Sequence, residues 1–267
     1  MTSTALSPAR PRTATPFSSF GYLVRCELLK LARIPAFLIP TVLFPIMFFT
    51  FFGLPNVGNK MAGGADAGGY IMASFGAYTM LSAALFSFGV SIAGERGLGW
   101  NRLMRVTPMS PVSYFAAKTI IALLIGLFTL VLLYLFGAVV GRVSLPLATW
   151  APLTIRTLMG MIPFVALGLW IGYVGGPNSA AGIANLIFLP MSFASGLFTP
   201  LQFLPKVVQD VAPYLPAYHS AQLAWDVLGA GDGRGFGAHA LWLLGYTVVF
   251  LAMAVVAYRR DEGKNFG

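Results

Sequence analysis

Hydrophobic residues run in six long blocks, near Ile34–Leu54, Tyr70–Ala93, Thr119–Val140, Thr157–Val174, Ala180–Pro200 and Ala238–Tyr258, and no Asp, Glu, Lys or Arg falls inside any of them. A helix needs about 20 apolar residues to cross a hydrocarbon core about 30 Å thick, at about 1.5 Å of rise per residue. Backbone groups in lipid must pair within a helix or around a closed barrel. Continuous apolar runs lack the alternation over about ten residues that marks barrel strands. The pattern predicts an all-α membrane protein with six transmembrane helices over residues 34–258.

The flanking segments are patterned too. In Phe17–Arg33, Phe20, Leu23, Val24, Leu28 and Leu31 recur at helical spacing, while Arg25, Lys30 and Arg33 fall elsewhere on the wheel. This reads as an amphipathic helix lying in the cytoplasmic interface, with an N-terminal extension of the first span as the alternative. Glu27 projects near its apolar face and needs a cationic partner or a tilt toward water. Pro35, Pro40 and Pro45 predict a kink in the first span. Residues 1–16, rich in Ser, Thr, Pro and Ala, read as a disordered tail, and 259–267 as a second tail. The first apolar block starts too late and runs too long for a cleaved signal peptide.

Two loops on one side differ. Pro55–Gly69 is rich in Gly and suits a flexible connection. In Leu201–Gly237, Pro205, Pro213 and Pro216 follow Pro200 and break the chain into short pieces, yet Phe203, Leu204, Val207, Val208, Val211, Tyr214, Leu215, Tyr218 and Leu223 keep it apolar. It is expected to form short re-entrant helices in the outer leaflet, the alternative being an amphipathic surface loop. No internal repeat is visible, which leaves an inverted-repeat transporter unsupported.

Composition narrows the class. Hydrophobic residues make up 57% and charged residues 9% of the 267, against roughly 45–50% and about 25% in soluble domains. The mean hydropathy of +0.78 excludes a soluble enzyme or binding module, and the low charge content excludes disorder. The net charge of +9 raises the question of nucleic acid, but the placement of the charges answers it. Arg10, Arg12, Arg25, Lys30, Arg33, Arg96, Arg102, Arg105, Lys118, Arg259, Arg260 and Lys264 make twelve on one side of the predicted spans, against five (Lys60, Arg142, Arg156, Lys206 and Arg234) on the other. Both termini are therefore expected in the cytoplasm, and the basic excess belongs to loops rather than to a nucleic-acid surface. The single Cys26 allows no intramolecular disulfide.

Several chemistries lack their residues. There is no G-x-x-x-x-G-K-[ST] run, and the Gly-rich 229–235 stretch has neither Lys nor a preceding strand, so ATP hydrolysis is not expected on this chain. The weak dinucleotide-like match at Gly94–Gly99 ends a membrane span and lacks its strand-turn-helix context. No block holds the Asp, Glu or Lys that an ion-coupled carrier would use. The two histidines, His219 and His239, stand apart in sequence and form no metal-binding pair, and His219 reads as an interfacial polar residue. No serine, nor Cys26, has an evident base. No catalytic residue, metal ligand or cofactor is expected on the chain.

The second cytoplasmic loop remains: Glu95-Arg96-Gly97-Leu98-Gly99-Trp100-Asn101-Arg102-Leu103-Met104-Arg105-Val106-Thr107-Pro108-Met109-Ser110, then Pro111 and Lys118. Arg102 and Arg105 share a helix face, Leu103 and Val106 form an apolar pair, and Pro108 ends any such helix. Composition alone favours a loop facing anionic lipid over one docked on a partner. The order Glu95-Arg96, Gly97, Arg102-Leu103, Thr107-Pro108-Met109-Ser110 and Lys118 resembles the loop between the second and third helices of ATP-binding-cassette type-2 permeases, the drug and antibiotic exporter family. The run Ser195-Gly196-Leu197-Phe198-Thr199-Pro200, then Leu204-Pro205, Pro213, Pro216 and His219, resembles the family's second signature after its fifth helix. The pattern is closer to daunorubicin-type permeases than to polysaccharide exporters, and departs at Trp100, where many relatives carry a small polar residue.

The resemblance implies a multi-pass subunit of the cytoplasmic membrane that dimerises and pairs with separately encoded ATPase subunits holding the ATP and Mg²⁺. It implies that the loop with Glu95, Arg96, Gly97, Arg102, Leu103, Arg105 and Pro108, together with the interfacial helix, contacts the ATPase. A carboxylate at a cytoplasmic helix end opposes the helix dipole. Glu95 is therefore expected to have a partner, either Arg96 or a basic residue of the ATPase, unless it merely marks the water boundary. Cargo is implied along the dimer interface between second and fifth helices, where Phe75, Tyr78, Phe86, Phe88, Phe188, Met191, Phe193 and Phe198 offer an apolar, polarizable lining. Each of these side chains has lipid contact or bundle core as its alternative. Gly182, Ala184, Ser192, Ala194, Ser195 and Gly196 are small enough for the fifth helix to approach a partner closely. Outward transport of hydrophobic or amphipathic cargo follows from the resemblance alone. A membrane structural or immunity subunit and a passive pore are the other readings.

Overall fold

The computed structural model describes residues 21–22, 24–27, 29, 35–61, 63–99 and 111–264. The expectations for the 1–16 tail, for the whole of the Arg102–Pro108 loop motif, for much of the 17–33 interfacial helix (Phe20, Leu23, Leu28, Lys30, Leu31 and Arg33 among its residues) and for the last residues lie outside them. We number the helices α1 (Pro35–Phe48), α2 (Ala67–Gly97), α3 (Pro111–Val139), α4 (Leu147–Met159), α5 (Ile162–Val174), α6 (Ala180–Ala194), α7 (Lys206–Val211), α8 (Pro216–Val227) and α9 (Gly235–Lys264). Among the described residues the all-α expectation holds, and the only β-type pairing is an isolated bridge between Lys60 and Asp66.

Helix α2 is the axis of the bundle. Asp66 caps it: its Oδ2 accepts from the Gly69 N–H at 2.8 Å, a donor the helix start leaves open, and its Oδ1 accepts from the Gly58 N–H of the preceding loop at 2.8 Å. From Gly68 to Leu81 every residue is buried. The helix then widens into a π-helical stretch, Ala83–Val90, before closing as an α-helix to Gly97. Gly89 in this stretch meets α5 backbone to backbone: a Cβ there would sit 2.6 Å from the Gly168 carbonyl oxygen. Gly168 and Gly172, one turn apart on α5, form the matching small-residue stripe.

Four helical stretches are long and apolar enough to cross a membrane: Ala67–Gly97, Val112–Val139, Leu147–Val174 and Gly235–Asp261. The other two predicted spans correspond to shorter apolar helices, Thr41–Asn56 and Ala180–Ala194. At about 1.5 Å per residue α6 is well short of the ~30 Å core, and its end is set by Gly196, whose φ of +79° turns the chain. In α1 the helix continues through Pro45, and the irregular geometry falls at Phe49–Gly53. The fourth helix starts at Leu147 rather than near Thr157. It accommodates Arg156 because that side chain pairs with Asp226 at 2.6 Å and covers the Phe236 ring at 5.0 Å.

The stretch after Pro200 is broken into helical pieces, as its prolines predict: Leu201–Phe203, α7, Ala212–Tyr214 and α8. Helix α8 is buried from Pro216 to Trp225. Trp225 donates to Ser74 Oγ at 3.0 Å and stacks on Tyr70 at 4.7 Å, and Ser220 donates to the Gly160 carbonyl at 3.2 Å. Phe203 and Val207 on these pieces are exposed. Helix α9 packs on α5 and α8 and leaves Leu241, Leu244, Val248 and Val249 exposed, as suits a helix whose outer face meets lipid.

Candidate functional site

The last turn of α2 sends three consecutive residues to three neighbours. Glu95, 8% exposed, turns to α3: Lys118 Nζ lies 2.6 Å from its Oε1, and the Tyr114 hydroxyl donates to Oε2 at 2.5 Å. Lys118 also reaches Glu27 Oε2 at 2.9 Å and Ser91 Oγ at 3.4 Å. One ammonium thus serves two carboxylates, and pairing of this kind is what makes burial of the charges tolerable. Arg96 turns the other way. It binds both carboxylate oxygens of Asp261 on α9, donates to the carbonyls of Gly172 and Gly175, and lies 4.8 Å from the Tyr173 ring centroid. Those carbonyls close the C-terminal end of α5, where a cation is favoured. Gly97 abuts Pro177 in the α5–α6 turn, so closely that a Cβ would overlap the proline ring.

This corrects one expectation and completes another. The partner of Glu95 is Lys118, with Tyr114, rather than Arg96. Consecutive residues of a helix project in different directions and do not face each other, so Glu95 meets α3 while Arg96 meets α5 and α9. Helical residues 24–27 bring Glu27 to the same lysine, supplying the cation that its position near an apolar face requires.

Further along α2 the aromatic residues expected along a dimer interface lie against one another within the one chain. Phe75 and Tyr78 lie 5.8 and 5.4 Å from Phe198, Tyr78 lies 4.8 Å from Phe188, and Phe86 lies 5.4 Å from Phe188. Phe193 stacks on Phe198 at 4.3 Å, and Met191 packs against the same core. Phe75 and Phe188 are buried, whereas Phe193 is exposed. The α1 residue Phe48 was not anticipated, because periodicity does not single it out; its ring lies within 5.3–5.8 Å of Phe75, Tyr78 and Phe198. Beside this cluster a cleft of about 430 Å³ opens between α1, α2 and α6, lined by Phe44, Phe48, Tyr78, Phe86 and Phe188 with Thr41, Ser82 and Asn185 as its polar groups. Of the small residues expected to face a partner, Ala184, Ser192, Ser195 and Gly196 are buried within the chain and Gly182 is exposed.

At the opposite end of the bundle, α8 and α9 join the two histidines that stand apart in sequence. His219 Nδ1 is 2.9 Å from His239 Nδ1, and His239 Nε2 is 3.1 Å from Asp232 Oδ1. Tyr218 donates to Asp232 Oδ2 at 2.8 Å, and the Asp232 N–H donates to Gln222 Oε1 at 3.0 Å. With Asp232 accepting from His239 Nε2–H, the His239 Nδ1 becomes the acceptor for His219 Nδ1–H. Burial, and then the neighbouring His239, push the His219 pKa down to about 4. Burial works to raise the Asp232 carboxyl, but hydrogen bonds from the Arg234 N–H, Tyr218 and His239 outweigh it and hold it below the usual range. Pro200 and Pro205 bracket the turn that leads from Ser195 and Gly196 into α7.

The ABC-2 family transporter pattern matches residues 57–256, from just before α2 to near the end of α9. The chain belongs to the ABC-2 transporter family. Over 239 residues it is 27% identical to YvfS of Bacillus subtilis (strain 168), provisionally named a transport permease, with 88% of this chain and 95% of YvfS covered. It is 26% identical over 220 residues to the inner membrane transport permease YhhJ of Escherichia coli (strain K12), covering 78% of this chain and 54% of YhhJ. YhhJ of Shigella flexneri matches equally. The chain spans about half the length of YhhJ. Both motifs read from the sequence, the Glu95 loop and the Ser195 run, fall inside the family match, and the apolar helices of this ABC-2 chain make it a multi-pass membrane protein.

Proposed function

We propose that this ABC-2 permease is the membrane subunit of an exporter that moves hydrophobic or amphipathic cargo outward, driven by ATP hydrolysis on separate nucleotide-binding subunits. The observation that carries the reading is that one helix bears both elements. Along α2, Phe75, Tyr78 and Phe86 border the aromatic cleft, and Glu95, Arg96 and Gly97 end the same helix at the point where it engages α3, α5 and α9. The π-helical stretch Ala83–Val90, which carries Phe86 and leads toward the Glu95 end, is the type of irregularity that recurs at functional sites. A displacement of the Glu95 end by an ATPase docked on the adjoining loop would reach the cleft through a single rigid element. Arg102 and Arg105 would meet acidic groups of that ATPase, which carries the ATP and Mg²⁺. Two copies of the chain would form the complete pathway, with both termini on the cytoplasmic side and the α7–α8 pieces re-entering the outer leaflet.

The cleft itself fits the cargo class. Aromatic faces offer large contact areas to apolar and cationic-amphipathic molecules, and a few hydroxyl and amide groups give orientation. Ser82→Trp places a large ring into the cleft without touching the ionic contacts of the α2 end. In membranes containing the permease and its ATPase, efflux of an amphipathic fluorescent dye is expected to fall at least about ten-fold while the two subunits still copurify. Unchanged efflux would remove the cleft from the pathway.

A further inference from the structure

Between α5 and α9, on the tier that carries Arg96 and Asp261, lies a groove of about 520 Å³ that the transport reading does not use. Its wall is apolar, with Trp170 and Val174 from α5 and Met253 and Val256 from α9, and it ends on Arg260 and Asp261. Met253, Val256 and Arg260 recur at helical spacing on one face of α9, so the charged group sits one turn beyond the apolar ones. Asp261 is already engaged by Arg96. Arg260 is exposed and, among the described residues, pairs with no acidic side chain. Of the four long apolar helical stretches, Gly235–Asp261 is the least buried, which leaves the α9 side of the groove open toward lipid. Trp170 stands in the last turns of α5, and indole rings favour the headgroup region of a bilayer.

We propose that this groove binds an anionic phospholipid, with an acyl chain along Trp170, Val174, Met253 and Val256 and the headgroup phosphate on Arg260. A zwitterionic lipid could fill the apolar wall equally well, but only a net negative headgroup complements an arginine whose neighbouring carboxylate is already neutralised. The second groove on α9, about 660 Å³ between α3, α5 and α9, has no charged side chain in its lining and serves as an internal contrast. It has room for a chain but nothing to select a headgroup. The proposal does not depend on the exporter reading, because the groove lies apart from the aromatic cleft.

The test is competition between phosphatidylglycerol and phosphatidylcholine with identical acyl chains, presented in equal amounts to the detergent-purified full chain and read by native mass spectrometry of retained lipid. The unmodified chain is expected to retain phosphatidylglycerol preferentially. Arg260→Gln should reduce that preference about five-fold, the equivalent of about 1 kcal/mol for one basic residue near a membrane surface. Arg259→Gln removes the same charge from the same helix turn but outside the groove, and should leave the preference intact. Val256→Trp should displace retained lipid of both kinds from this site. No preference in the unmodified chain, or equal loss in the Arg259 and Arg260 variants, would overturn the proposal, the latter by assigning the effect to the diffuse charge of the helix end.

Discussion

Replacing Lys118 by methionine keeps the length and apolar stem of the side chain and deletes its charge. Lys118 is 3% exposed, and the carboxylates it holds, Glu95 and Glu27, are 10% and 12% exposed at their side chains. Removing one partner of a buried pair costs about 3–5 kcal/mol, because the remaining charge is left uncompensated. Two features place the loss near ~3 kcal/mol. Tyr114 still donates to Glu95 Oε2, and the partly exposed Glu27 can turn toward water, so one carboxylate rather than two carries most of the penalty. Glu95→Gln is milder, because Lys118 keeps Glu27 and the amide can still accept from Tyr114. The double variant removes both charges, and its cost should fall short of the sum of the single variants by at least about 1 kcal/mol, as for residues in one network. The assay is reversible unfolding in mixed micelles with an increasing fraction of denaturing detergent, followed by tryptophan fluorescence. A cost below about 0.5 kcal/mol for Lys118→Met, or strict additivity in the double variant, would refute the ionic tie between α2, α3 and the Glu27 helix.

Other outcomes follow from close contacts and from titration. Gly168→Val puts a branched side chain against the Ala84 carbonyl of α2, so relief requires backbone to move and the same unfolding assay should show a loss of about 1–3 kcal/mol. Asp66→Ala deletes the cap of α2 and should cost about 1 kcal/mol. With a folded pKa of about 4, below its ordinary 6.5, His219 refuses a proton that the unfolded chain accepts. Its contribution to stability is therefore complete above about pH 6.5 and lost as the pH falls toward 4. The thermal midpoint should decline across that window, and the decline should shrink in His219→Phe, which retains the stacking on Trp242 but cannot titrate.

What was legible in the sequence is what lipid enforces residue by residue. Charges are excluded from apolar spans, so the helices announce themselves as uncharged blocks, and the prolines after Pro200 announce short pieces. Boundaries were less legible wherever a long-range partner intervenes. Arg156 sets the start of the fourth uncharged block in the sequence, because its mate, Asp226, is 70 residues away. The Glu95 site shows the same limit. Glu27 and Glu95 each declared a need for a cation, but that one lysine on α3 meets both depends on how three helices pack. The resemblance puts Tyr78, Phe188 and Phe198 along an interface between copies, but that they meet within one chain depends on how α6 and the turn after it pack against α2, and Phe48 carries no mark distinguishing it from the other phenylalanines of α1. Nor does anything in Ala83–Val90 signal a π-helical stretch, whose width is matched by Gly168 and Gly172 on a different helix.

The most direct test of the transport account is to reconstitute the purified chain into liposomes with and without the separate nucleotide-binding subunit that the proposed function requires, and to follow an amphipathic dye across the bilayer. The account predicts that dye moves only when both subunits and hydrolysable ATP are present, and that ATP hydrolysis by the partner rises when the permease joins it. Dye movement at the same rate with the permease alone, or hydrolysis indifferent to the permease, would contradict it.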